Sequence, residues 1–168
     1  TRNMVTGAST ADLAVILVDA RQGVLTQTRR HSYLCHLLGI KNIILAVNKM
    51  DLVGYDQDTF DTIVADYAEF ANKIGIAGST AIPISGFKGD NIAAHSGNTE
   101  WYSGQTLMAH LETVELDQNA GAAQDFRMPV QWVNRPNLDF RGFSGKVAAG
   151  IVQRGDKLRI LPSGKTSY

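Results

Sequence analysis

Asn48, Lys49, Met50 and Asp51 follow directly on the apolar run Ile43-Ile44-Leu45-Ala46-Val47. A carboxylate can accept two hydrogen bonds from adjacent N–H groups, and the edge of a guanine ring offers such a pair where adenine does not. The Asn amide carries both a donor and an acceptor for neighbouring ring positions. The Lys stem can lie along the base plane with its ammonium at the rim. These residue types at this spacing make guanine the ligand to test.

The elements around this stretch set its position. An unbroken aliphatic run of this length reads as a strand buried on both faces of a parallel sheet, and the rim of such a sheet is where α/β folds bind ligands. Leu13–Asp19 is a second run of the same kind, and Ala20 to Gly23 form its polar exit loop. Thr26 to Leu38 has helical spacing, with Gly39 placed to end it in the left-handed region. Phe60, Ile63, Val64, Tyr67, Ala71 and Ile74 predict a second helix, capped by Asp56 or Asp58 and stopped by Gly75. Phe60 and Tyr67 are expected in the core. Thr80–Ile84 is a third buried strand, so strand, helix, strand, helix, strand implies parallel pairing with right-handed crossovers.

That third strand exits into Ser85-Gly86-Phe87-Lys88-Gly89-Asp90-Asn91. Small residues let backbone N–H groups approach a ligand closely, and a donor at Gly86 or Phe87 is expected to meet the guanine carbonyl. A Ser-Gly loop alone says little, but after an Asn-Lys-x-Asp stretch on the preceding strand it completes a nucleotide-type pocket. Residues 1–12 read as a short helix and a turn at Ser9-Thr10. A polar loop over 92–103, holding His95, Trp101 and Tyr102, leads to a closing helix over Gln105–Val114.

The first domain is therefore expected to span 1–114. Residues 115–125 have the small, polar make-up of a linker. From Phe126 the apolar spacing changes to period two, broken by Pro136, Gly142, Gly145, Gly150 and Gly155, which predicts antiparallel β-structure over 126–168, the first part of a small barrel or sandwich.

Composition narrows the function classes. Sixteen basic and sixteen acidic residues leave no net charge, so nothing global attracts nucleic acid or anionic lipid. No apolar run approaches the roughly 20 residues that cross a bilayer. Cys35 is the only cysteine and can form no internal disulfide, which fits a reducing, cytoplasmic setting. His31 and His36 lie five residues apart, a spacing that does not stack two ligands on one helix face, so no metal site is expected there. Gly164-Lys165-Thr166 lacks the earlier glycine of a phosphate loop, since Arg159 stands in its place, and Arg154-Gly155-Asp156 reads as a hairpin turn. No Gly-x-x-x-x-Gly-Lys-Ser/Thr and no Asp-x-x-Gly precedes Leu13, so the chain carries the base-reading half of a site without the phosphate half. The opening without Met and the close on a turn suggest a piece of a longer protein.

The stretch 1–12, Gln27-Thr28-Arg29-Arg30-His31 and Asn48–Asp51 resemble the translation-factor GTPases, the group of elongation factor Tu. Asp19 to Leu25, Trp101-Tyr102-Ser103-Gly104 and above all Val133-Asn134-Arg135-Pro136-Asn137-Leu138-Asp139-Phe140-Arg141-Gly142 narrow the resemblance to the family of large, GTP-hydrolysing subunits of bacterial sulfate adenylyltransferase. The resemblance implies part of a P-loop GTPase domain followed by the start of a β-barrel. It implies GTP as ligand, Mg²⁺ held by residues ahead of Thr1, and a small catalytic subunit as partner. By motif, Asn48, Lys49, Met50, Asp51, Ser85, Gly86 and Phe87 would form the guanine pocket, with no catalytic residue in the chain. It also implies a further strand beside Leu13–Asp19, without which that edge is exposed and the chain alone poorly soluble. An elongation factor binding aminoacyl-tRNA and an inert, truncated G domain are the competing readings.

Overall fold

The computed structural model describes residues 2–76, 78–116 and 124–168. The chain divides into two compact units, 1–116 and 117–168. The division falls inside the 115–125 segment expected as a linker, of which residues 117–123 lie outside the described residues.

In the first unit the elements run α1 (Arg2–Ala8), β1 (Leu13–Asp19), α2 (Thr26–Leu37), β2 (Asn42–Asn48), α3 (Gln57–Lys73), β3 (Ser79–Pro83) and α4 (Leu107–Thr113). Short 3-10 turns cover Met50–Val53 and Gly97–Thr99. The three strands pair in parallel in the order β1-β2-β3, with Asp19 opposite Asn48 and Val47 opposite Pro83. Strand β2 is central, and Ile44, Leu45, Ala46 and Val47 have no accessible surface. Each large side chain so buried contributes about 1.5–3 kcal/mol.

One face of the sheet packs Ile16, Val18, Leu45 and Val47 against Cys35 of α2 and Phe60, Ile63 and Tyr67 of α3. The other face packs Ile44, Ala46, Ile82 and Ile84 beneath Tyr102 and Leu107. Two helices on one face follow from consecutive right-handed crossovers between sequential neighbours. Local signals set the helix ends. Asp56 rather than Asp58 caps α3, its carboxylate accepting from the Thr59 N–H at 2.8 Å. Gly39 and Gly75 close α2 and α3 at φ of 83° and 80°. Thr106 caps α4 through the Ala109 N–H, two residues inside the expected start. Phe60 and Tyr67 lie in the core as the helical spacing implies, and the Tyr67 hydroxyl donates to Ser32 Oγ at 3.0 Å.

In the second unit the strands form two antiparallel ribbons, β4 (Trp132–Asn134) with β5 (Gly142–Ser144) and β6 (Leu158–Ile160) with β7 (Lys165–Ser167). Among the described residues these are separate two-stranded sheets, and no closed barrel forms. Trp132, Leu138 and Leu161 stand largely exposed along them.

Among the described residues strand β1 is paired on one side only, and Leu17 near its middle is 60% exposed. Beside it runs a groove of about 560 Å³ lined by residues of β1, α1 and α2, among them Met4, Leu13, Val15, Leu17 and His31. An apolar edge with free backbone groups templates further strand pairing. Leu17→Lys is expected to raise the monomeric fraction of the 168-residue chain in size-exclusion chromatography while changing stability by about 0.5 kcal/mol or less. An unchanged oligomer profile would show that aggregation starts elsewhere.

Candidate functional site

The carboxyl ends of β1, β2 and β3 bring Asp19, Asn48–Asp51 and Ser85–Asn91 to one rim. Two backbone bonds hold the last two segments together: the Ile84 N–H donates to the Val47 carbonyl at 2.8 Å and the Met50 N–H to the Ile84 carbonyl at 3.2 Å.

Lys49 has φ of 66°, in the left-handed region that few residues other than glycine adopt. The reversal turns Met50 inward, where it is completely buried. Met50 therefore anchors the loop in the core and does not belong with the rim residues among which the motif placed it. Its neighbours on either side face outward.

Asn48 Oδ1 accepts from the Lys49 N–H at 2.7 Å and the Gly86 N–H at 2.9 Å. Because both partners are donors, the amide orientation is fixed, and Nδ2 points away with no acceptor among the described residues. A Cβ added at Gly86 would lie 3.4 Å from Asn48 Oδ1, an ordinary contact, so the position accepts alanine. With the Gly86 N–H engaged, the two candidate backbone donors separate. The Phe87 N–H has no acceptor among the described residues, and the Phe87 side chain is 88% exposed.

Asp51 Oδ1 accepts from the Ser85 hydroxyl at 2.7 Å, and that hydroxyl in turn accepts from the Lys88 N–H at 3.1 Å. Ser85 is fully buried. Its hydroxyl is thus committed twice, and the other Asp51 oxygen is left without a partner among the described residues. The rim therefore presents two open donors, Asn48 Nδ2 and the Phe87 N–H, and one open carboxylate oxygen of Asp51.

Residues outside the expected pocket also shape this arrangement. Asp19 accepts from the Arg21 backbone N–H, Nε and Nη2 and from Lys49 Nζ at 2.8 Å. The Arg21 guanidinium, with the Lys49 ammonium, holds its carboxyl far below the usual carboxylate range. Tyr55, also left-handed at φ of 57°, donates its hydroxyl to Asp90 Oδ2 at 2.6 Å and ties the 48–55 loop to the 85–91 loop. Its carbonyl accepts from Trp101 Nε1 at 3.0 Å. Asn91 is fully buried, donating to the Pro83 carbonyl and Thr99 Oγ1 and accepting from the Ser96 N–H. Asp19 was visible in sequence as the polar end of an apolar run. The Tyr55–Asp90 and Asn91 partners carry no local pattern, because the bonds cross loops whose paths sequence does not give.

A three-stranded parallel sheet with helices on both faces and polar loops converging on its carboxyl rim defines an α/β domain of the kind that binds ligands at that rim. The family model for the elongation factor Tu GTP binding domain matches residues 1–125, and the chain belongs to that family. It is 59% identical over 170 residues to sulfate adenylyltransferase subunit 1 of Cellvibrio japonicus, covering all of this chain and 35% of that protein. It is 58% identical over 168 residues to the protein of the same name from Bacteroides fragilis, again covering 35% of it. The chain thus spans about a third of the length of the curated relatives it matches. Among solved structures, sup35 complexed with GMPPNP aligns with a TM-score of 0.61 at 25% identity, over 95% of this chain and 42% of that one. The sup35 complex with GDP gives 0.62 at 24% identity, a likeness of fold.

The Tyr55 hydroxyl is pushed up to about 12, mainly by its hydrogen bond to the Asp90 carboxylate. A proton held more tightly in the folded state stabilises below the ordinary tyrosine value near 10, and the stabilisation is lost as pH rises from 10 toward 12. Tyr55→Phe is expected to lower stability by about 0.5–1.5 kcal/mol at neutral pH and to flatten the decline between pH 10 and 12. Chemical denaturation across that range checks both, and an unchanged slope would remove Tyr55 as its source.

Proposed function

We propose that the rim binds the guanine base of GTP, with Asn48, Lys49, Asp51, Ser85, Gly86 and Phe87 as the pocket. One observation carries the reading: the open groups match guanine edge for edge. Asn48 Nδ2 and the Phe87 N–H are donors for the N7 and carbonyl acceptors, and the Asp51 carboxylate accepts from the ring N–H and the exocyclic amine. Adenine would set an amine against a donor. Asn48 and Ser85 act partly through others, Asn48 by fixing the Gly86 backbone and Ser85 by holding Asp51. The Lys49 stem and the exposed Phe87 ring supply apolar surface for the faces of the base.

Among the described residues no group of three His, Cys, Asp or Glu side chains can hold a metal ion. No Mg²⁺ ligand and no hydrolytic step is assigned to these residues. The role of this segment is selection of the nucleotide.

The relatives' common name supports a wider reading. A full-length protein carrying this segment would be the GTP-binding regulatory subunit of a sulfate adenylyltransferase, an enzyme of sulfate activation working in the cytoplasm. It would couple GTP hydrolysis to formation of adenosine 5′-phosphosulfate from ATP and sulfate by a small catalytic partner subunit. The segment Asn134–Gly142 carries the resemblance to this branch rather than to aminoacyl-tRNA carriers.

Two measurements test this. In a protein of the relatives' full length that carries this segment, Asp51→Asn is expected to weaken GTP by up to about 10⁴-fold and to shift preference to xanthosine nucleotides. Unchanged GTP affinity would remove Asp51 from the site. With the small subunit present, GTP should stimulate adenosine 5′-phosphosulfate formation; tight GTP-dependent tRNA binding instead would favour the elongation-factor reading.

A further inference from the structure

Within the rim, Lys49 is the one base-contacting candidate whose charged end is held by another strand. Its Nζ lies 2.8 Å from Asp19 Oδ2, and Asp19 ends β1 directly opposite Asn48 in the sheet register. The Lys49 side chain is about half exposed, while the Asp19 side chain is only 17% exposed. Both Asp19 oxygens are doubly engaged: Oδ1 by the Arg21 N–H and Nε at 3.0 Å each, Oδ2 by Arg21 Nη2 at 2.6 Å and Lys49 Nζ. A carboxylate gripped through three bonds by one arginine has a fixed plane and a fixed charge. The Ala20 N–H also donates to the Asn48 carbonyl at 2.9 Å, which locks the two strand ends where the ion pair spans them.

Lysine side chains are among the most costly to order, because four torsions must be fixed. Lys49, left-handed at φ of 66°, has its side-chain end at Asp19 on β1. Asp19 then captures its end, so the stem is stretched over the strand ends before any ligand arrives.

We propose that Asp19, oriented by Arg21, is a positioning residue for guanine nucleotides: it holds the Lys49 stem extended as a ready-made platform for one face of the base. The inference rests on the guanine reading of the rim. Asp19 itself need not touch the nucleotide. Its effect passes through Lys49, which distinguishes it from a residue that merely stabilises the fold.

The test uses a protein of the relatives' full length and a fluorescent N-methylanthraniloyl GDP, with dissociation rates read by displacement. Asp19→Ala is expected to speed release about tenfold, the scale of the side-chain ordering it forgoes. Lys49→Met, which keeps the stem and loses the ammonium, should do the same, and the double variant should be no faster than either single one. Multiplicative effects in the double variant would overturn the proposal, since Asp19 would then act independently of Lys49, and so would an unchanged rate in Asp19→Ala. Should Asp19→Ala fail to fold, Asp19→Asn keeps the side-chain volume but loses the charge and one of the two acceptor oxygens, and should release nucleotide faster than wild type; wild-type release from it would count against the idea. Asp51→Asn in the same assay separates the two levels. If it leaves GDP release unchanged, the guanine reading fails, whereas a large effect there with none at Asp19 sinks the positioning role alone.

Discussion

Everything at the rim depends on the burial of β2 between two parallel neighbours. Four consecutive residues, Ile44 to Val47, have no accessible surface, so this strand cannot slide without exposing them or burying the polar residues that follow. Because its register with β1 and β3 is fixed, Asn48 falls opposite Asp19 and Ile84 closes onto Val47. The precision of the polar groups is inherited from apolar packing. A core truncation such as Ile44→Ala removes about 2–5 kcal/mol, and its functional effect would come from loosened strand ends as much as from lost stability.

Conformational specialisation begins where the sheet stops. Lys49, Tyr55 and Asn91 all have positive φ, and each lies in a loop at the rim. Non-glycine residues in that region persist only where surrounding bonds over-determine them. Here those bonds are identifiable: Asn48 Oδ1 on the Lys49 N–H, the Met50 carbonyl on the Tyr55 N–H, and the Ser96 N–H and Thr99 hydroxyl on the Asn91 amide. The strained positions redirect a backbone that would otherwise continue straight off the strand, turning Lys49 outward while Met50 and Asn91 are buried.

Much of the first unit was legible in sequence because its signals are local. Leu13–Asp19 and the 43–47 run are short and uniformly apolar, Asp56 and Gly75 mark helix ends, and Phe60 and Tyr67 repeat at helical spacing. That the Asn-Lys-x-Asp and Ser-Gly segments reach one rim was equally readable, since each follows a buried strand. Met50 was misread because spacing within a motif does not reveal a left-handed turn that points one member inward. The choice between Gly86 and Phe87 as open donor hinged on the side chain of Asn48, 38 residues away. In the second unit the period-two pattern gave antiparallel pairing correctly, but strands of three residues separated by glycines do not encode how the ribbons would close. The Tyr55–Asp90 clasp joins residues 35 apart, beyond the reach of any periodicity.

The Trp101 side chain adds a consequence of a different kind. The chain has two tryptophans, and they fall one in each unit. Trp101 is partly buried, 5.3 Å from the Phe60 ring, with its indole N–H bonded to the carbonyl of Tyr55 in the rim loop. Trp132 is 69% exposed on a ribbon. Indole emission depends on solvation and on hydrogen bonding at the ring nitrogen, so the two residues are expected to differ in emission wavelength and in accessibility to soluble quenchers. The protein therefore carries its own pair of optical reporters, one wired to the rim loop at Tyr55 and one to the β-ribbons.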